Sequence, residues 1–152
     1  MDCFSYKNSS LFCEDVNLQD IANEYGTPSY VYSRRTLEQN IDLYQQSFKN
    51  KNSLICFSVK SLNNLAILKI LNDKECGFDI VSYGELMRVL HVGADPNKII
   101  FSGVGKSEME IVEGINNGIL SFNIESESEL QRIERIASKL KKQVNVAIRF
   151  NP

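Results

Sequence analysis

The stretch I-C-F-S-V-K-S-L-N-N-L-A-I-L, residues 55–68, holds the reading that decides the fold. Five apolar or small residues run straight into Lys60, and an amphipathic pattern follows almost at once. A short apolar run followed by a 3.6-residue pattern is the signature of strand, turn and helix. The unit recurs down the chain. Strand-like runs open at Ile55 (ICFSV), Phe78 (FDIVS), Ile99 (IIFSG), Ser121 (SFNIE) and Val144 (with VAIRF inside it), at intervals of 23, 21, 22 and 23 residues. Between them lie the helical patterns LAILKIL, ELMRVL, EIVEGI and ELQRIERIASKL, the last with Leu130, Ile133, Ala137 and Leu140 on one stripe.

The junctions repeat as well. Ser82-x-x-Glu85, Ser107-x-x-Glu110 and Ser126-x-x-Glu129 each match the S-x-x-E capping box just after a strand. In such a box the serine accepts from a first-turn N–H and the glutamate reaches back to the cap. Three boxes in phase with five strands predict an α/β protein with a parallel sheet, because each helical crossover returns the chain to the same end. A leucine-rich solenoid lacks its L-x-x-L-x-L signature here. An open doubly wound sheet lacks a G-x-G-x-x-G after the first strand. The expectation is therefore a partial (β/α)8 barrel of the TIM type, with about five of its eight strands. The chain halts at Arg149-Phe150-Asn151-Pro152 as a strand ends, which reads as a cut rather than a finish.

Ahead of the repeats, the first 27 residues are polar, with one helical pattern (Val16, Leu18, Ile21, Ala22) that stops at Gly26 and Pro28. SYVYS, residues 29–33, reads as a strand from its aromatic and β-branched content. RRTLEQNIDLYQQSF follows as an amphipathic helix carrying Leu37, Ile41, Tyr44 and Phe48.

The bulk composition excludes more than it identifies. A net charge of −2 with both signs mixed offers no basic stripe for nucleic acid and no polybasic membrane tail. The opening MDCFSYKNSS has neither a basic nor an apolar region of a signal peptide, and no apolar run is long enough to span a bilayer. Cys3, Cys13, Cys56 and Cys76 form no C-x-x-C pair, and His91 is the one histidine, so no metal site is expected. The four read as reduced thiols of a cytoplasmic protein.

Chemistry in parallel α/β folds sits at the C-terminal ends of the strands. Lys60, Asp79, Glu85 and Arg149 all fall near that rim. Burial at the strand end would disfavour the charged form of Lys60, and a neutral amine is what attack on an aldehyde requires. The same lysine also fits a solvated exit residue. Asp79 fits a bond to a neighbouring loop, Glu85 has a structural place in its capping box, and Arg149 within an apolar run needs a partner. His91 near a helix C-terminus suits the helix dipole. The glycines of SGVGK make a turn without the Walker pattern.

Six strings then occur in order: Y-G-T-P-S-Y-V-Y-S at 25–33, C-F-S-V-K-S at 56–61, G-F-D-I-V-S-Y-G-E-L at 77–86, F-S-G-V-G-K-S at 101–107, F-N-I-E-S at 122–126 and A-I-R-F-N-P at 147–152. From about residue 11 onward the chain resembles the diaminopimelate decarboxylase family, within the pyridoxal-phosphate decarboxylases that have an alanine-racemase-like barrel. The resemblance implies that Lys60 holds pyridoxal 5'-phosphate as a Schiff base. It implies decarboxylation of meso-2,6-diaminopimelate to L-lysine, the last step of bacterial lysine synthesis, with the pyridine ring as electron sink. Asp79, Glu85 and Arg149 match family positions near the cofactor and take supporting roles.

The family pattern also assigns residues 1–34 to a second, β-rich domain and residues 35–152 to the cofactor-binding barrel. A homodimer is expected of the full-length protein. Ser61-Leu62-Asn63-Asn64 departs from the common Ala-Asn-Ser-Asn, and Tyr83 stands where glycine is frequent. The family's ring-stacking histidine, glycine-rich phosphate loop, pyridinium partner and substrate arginines have no counterpart in this chain, so the 152 residues alone are expected to be inactive and to aggregate through open sheet edges. An arginine or ornithine decarboxylase of the same fold, or a truncated non-catalytic product, are the other readings of these motifs.

Overall fold

A computed structural model describes residues 3–49 and 51–150; Asn151 and Pro152, which close the A-I-R-F-N-P string, lie outside them. The chain divides into two compact units, Met1–Asn52 and Ser53–Pro152.

The first unit opens with an antiparallel meander, β1 (Phe4–Lys7), β2 (Ser10–Cys13) and β3 (Val16–Asn17), in which Phe4 pairs with Cys13 and Cys13 with Val16. Asn8 and Ser9 both take positive φ (49° and 65°), as a two-residue hairpin turn demands. Val16, part of a helical pattern in the sequence, lies in β3 instead. Helix α1 (Leu18–Tyr25) starts one residue after that strand, where the Asn17 side chain accepts from the N–H of Gln19 at 2.9 Å. It ends at Gly26, whose φ of 81° suits a residue without Cβ.

Helix α2 (Arg34–Ser47) matches the predicted amphipathic run and is capped by Ser33, which accepts from the N–H of Thr36 at 3.0 Å. Of its apolar stripe only Ile41 is buried. The expected strand at 29–33 is a correction. SYVYS joins no ladder among the described residues, and Tyr30 is 90% exposed. Aromatic content favours a strand only where a pleated surface is available to pack against, and none covers these tyrosines.

The second unit carries the repeats. Strands β4 (Cys56–Ser58), β5 (Gly77–Ile80), β6 (Ile99–Phe101), β7 (Ser121–Ile124) and β8 (Val146–Ile148) form one parallel sheet in consecutive order. Helices α3 (Leu65–Asp73), α4 (Tyr83–His91), α5 (Glu108–Asn117) and α6 (Glu127–Leu140) connect them and pack each on the next, β7 and β8 being the pair joined through α6. Consecutive order with right-handed crossovers puts every helix on one face of the sheet. A doubly wound sheet would reverse direction at a switch point; this one does not. It is the arc of a (β/α)8 barrel.

Alternation along the strands sorts the two faces. Phe78, Ile80, Ile99, Phe101, Phe122 and Ile124 are buried, and the Phe101 and Phe122 rings stack with centroids 5.9 Å apart. Phe122 faces α5, because a Cβ on Gly114 would stand 2.7 Å from its Cζ. That glycine is what lets the helix lie close on the sheet. Asp79 and Asn123, between these positions, and Ser58, in register with Asp79, therefore line the opposite, concave face.

Candidate active site

Strand β4 stops at Ser58, and Val59 to Ser61 turn in a single 3₁₀ turn. Val59 is fully buried and anchors this turn, while Lys60 projects exposed from the end of the strand. No hydrogen bond or ion pair engages Lys60 among the described residues. The expectation that burial desolvates the lysine is not met: nothing in this five-stranded arc covers it. What the fold supplies is position, a primary amine at the C-terminal end of a parallel strand, free to form a covalent bond.

Beside Ser58 in register lies Asp79 of β5. Its carboxylate accepts from the Ser102 hydroxyl at 2.5 Å and from the Ser58 hydroxyl at 3.5 Å. Ser102 in turn accepts from the Asn123 amide at 2.9 Å. A line of polar groups thus crosses four strands on the concave face. Below it on β4, Cys56 is inert: burial, then the negative charge of Asp79, then Cys76, push its thiol up to about 11.

Behind the line lies a feature the sequence reading passed over. Lys106, in the sequence no more than the end of the SGVGK turn, is 2% exposed. Its ammonium donates to the carbonyls of Gly103 and Asn123, both at 2.7 Å, and to Glu129 Oε1 at 2.8 Å. All three protons are used, as a buried ammonium requires. The only local signal was a lysine directly before a helix cap; its acidic partner stands 23 residues away.

The three serine caps form as expected, but the glutamates divide. Ser107 and Glu110 make the reciprocal box, and Glu110 also accepts from the N–H of Tyr83 at 2.9 Å. Burial pushes Glu110 up, yet the N–H groups of Ser107 and Tyr83 and the Ser107 hydroxyl outweigh it, and its carboxyl titrates below the usual range. Glu85 and Glu129 instead reach one residue beyond the cap, accepting from the N–H of Val81 at 2.7 Å and of Glu125 at 2.9 Å. Glu85 is therefore committed to its own helix start.

Arg149 follows β8 and finds the partner it needed in Glu125, Nη1 to Oε1 at 3.4 Å. Lys60, Asp79, Glu85 and Arg149 share the rim, yet among the described residues no hydrogen bond or ion pair joins any one to another. His91 is the last, exposed residue of α4. Among the described residues no cluster of His, Cys, Asp and Glu could hold a metal ion, and no helix is long and apolar enough to cross a membrane. A groove of about 600 Å³ lies elsewhere, between α6 and residues 142–146. Its lining mixes Leu130, Ile133 and Ala137 of α6 with scattered polar groups that do not converge, so the rim remains the candidate site.

The fold is a parallel barrel arc that carries an exposed lysine just past the end of one strand and, on the neighbouring strand, a carboxylate held by two hydroxyls. The chain belongs to the family described as pyridoxal-dependent decarboxylase, pyridoxal binding domain, which it matches over residues 34–152. It is 46% identical over its whole length to the diaminopimelate decarboxylase of Haemophilus influenzae and 47% identical to that of Vibrio cholerae, and spans 37% of each. Among solved structures, the diaminopimelate decarboxylase of M. jannaschii in complex with L-lysine superposes with a TM-score of 0.94 at 34% identity, covering 99% of this chain and 36% of that one. The chain thus spans little more than a third of the relatives it matches.

Proposed function

We propose that this chain is the lysine-bearing part of a decarboxylase that uses pyridoxal 5'-phosphate to convert meso-2,6-diaminopimelate to L-lysine and carbon dioxide. The observation that carries the reading is the unpaired amine of Lys60 at the end of β4, within a matched pyridoxal-binding domain. The residues present fit the group: Lys60 offers a primary amine with no partner to displace, and Asp79 offers a fixed anion two residues upstream in register. When bound, the cofactor's ring accepts the electron pair left behind as carbon dioxide departs.

Lys60 would hold the cofactor through its exposed amine at the end of β4. Asp79 contributes negative charge on the concave face, and Arg149, steadied by Glu125, adds positive charge farther along the rim. Glu85 serves the site indirectly, by fixing the start of α4. Residues 1–34 belong with a second, β-rich domain and 35–152 with the barrel; the family match that begins at residue 34 supports this boundary, although the first compact unit runs on to Asn52. Assembly as a homodimer in the cytoplasm completes the reading; none of the four cysteines is in a disulfide, which fits a reducing compartment.

The substrate preference rests on relatives at 46–47% identity that are diaminopimelate decarboxylases. The test is reductive trapping. The full-length protein loaded with pyridoxal phosphate is treated with borohydride, and the label is located by peptide mass spectrometry. Label on Lys60, with release of carbon dioxide from meso-diaminopimelate and not from arginine or ornithine, is the expected result. Label on another lysine would sink the assignment.

A further inference from the structure

Two residues of the concave-face line, Ser102 and Asn123, have no part in the reading above. A serine hydroxyl has one proton. Because Ser102 accepts from Asn123 Nδ2 at 2.9 Å, that proton is left for Asp79 Oδ1, 2.5 Å away. The backbone of Asn123 is itself held. Its main-chain carbonyl takes one proton of Lys106, whose other two go to Gly103 and Glu129. Ser102 is 9% exposed and Lys106 2%, so water has little access with which to replace these bonds. The chain therefore has a direction, from the Asn123 amide through Ser102 to one oxygen of Asp79, with Lys106 securing the β7 backbone behind it.

The consequence is an orientation. With Oδ1 occupied from the β6 side, Oδ2 is turned toward β4, where the Ser58 hydroxyl lies 3.5 Å away, two residues before Lys60. Cys56 on the same strand feels that charge, which helps hold its thiol protonated. We propose that Ser102 and Asn123 are positioning residues: they hold the Asp79 carboxylate aimed at the β4 side of the site, where Lys60 and the cationic group bound there need an anion. The proposal rests on Lys60 as the cofactor lysine.

Plain strand-to-strand bonding would use the same contacts, so the test must separate orientation from stability. The full-length protein, stripped of cofactor, is titrated with pyridoxal phosphate and followed by its visible absorbance, for Ser102→Ala, Asn123→Ala, Asp79→Asn and the Ser102→Ala/Asp79→Asn double variant. Ser102→Thr keeps the hydroxyl and serves as the rescue. Expected is a loss of cofactor affinity on the order of tenfold for Ser102→Ala and Asn123→Ala, at least as large a loss for Asp79→Asn, no further loss in the double variant, and recovery in Ser102→Thr. Such non-additivity is the mark of residues acting through one another. An affinity within twofold of wild type in Ser102→Ala, or a loss that adds fully to that of Asp79→Asn, overturns the proposal. Should Ser102→Ala not fold, Asn123→Ala against Asp79→Asn decides on the same criteria. Borohydride trapping on the same samples keeps the two ideas apart: label away from Lys60 removes the functional reading, whereas label on Lys60 with unchanged affinities removes only this inference.

Discussion

The two faces of the five-stranded sheet are made by the same strands and obey opposite rules. The convex face buries Phe78, Ile80, Ile99, Phe101, Phe122 and Ile124 under helices, and the contact is non-directional. The concave face sets Ser58, Asp79, Ser102 and Asn123 in a hydrogen-bonded line, behind which a buried ion pair holds the β7 backbone. The difference separates what holds the fold from what equips the site. Apolar residues on one face stabilise the arc whatever their partners, while polar residues on the other are useful only in register with one another.

Substitutions on each face should then fail in different assays. The largest effect belongs to the rim: Lys60→Ala in the full-length protein is expected to abolish turnover and the absorbance of covalently held cofactor, with the melting temperature of the cofactor-free protein unchanged, because the side chain is exposed. On the convex face, Phe122→Ala should cost about 3–5 kcal/mol in urea denaturation, since Gly114 of α5 packs directly against that ring.

Behind the polar line, Lys106→Met alone should cost about 3 kcal/mol by stranding the Glu129 carboxylate in the interior. The double variant Lys106→Met/Glu129→Gln, which removes the stranded charge and keeps an acceptor for the Glu125 N–H, should recover most of that loss in the same denaturation experiment. A double variant no better than the single would show that the ion pair itself stabilises the fold.

The capping boxes lie outside both faces and should give the smallest effects. Ser107→Ala is expected to lower stability by about 1 kcal/mol, read as a shift in the urea midpoint. Glu110 adds a pH dependence. Its folded carboxyl titrates below the usual value of 4.5, so its contribution is fully present above that pH and is lost as pH falls through the depressed folded value. Wild type should lose its advantage over Glu110→Gln across that acidic window, and parallel acid-unfolding curves for the two proteins would contradict this.

Much of this architecture was legible in short windows. The strand openings, the helices between them and the three serine caps depend on contacts within one turn or one pleat, which neighbouring residues specify directly. SYVYS misled because strand content is not strand pairing, and the meander at 4–17 was missed because its signal, Asn8-Ser9 in a two-residue turn, is brief. Glu85 and Glu129 read as ordinary capping boxes, and only the structure showed each carboxylate reaching one residue farther back.

By itself, then, the sequence determined the parallel α/β repeat and the placement of Lys60 at a strand end, because both follow from local periodicity and chain order. Only the tertiary structure decided that Lys106 is buried on Glu129, that Arg149 meets Glu125, and that Ser102 and Asn123 line up behind Asp79. Those partners lie 21 to 24 residues apart along the chain. Their meeting depends on the register between parallel strands, a property of the assembled sheet that no single strand carries.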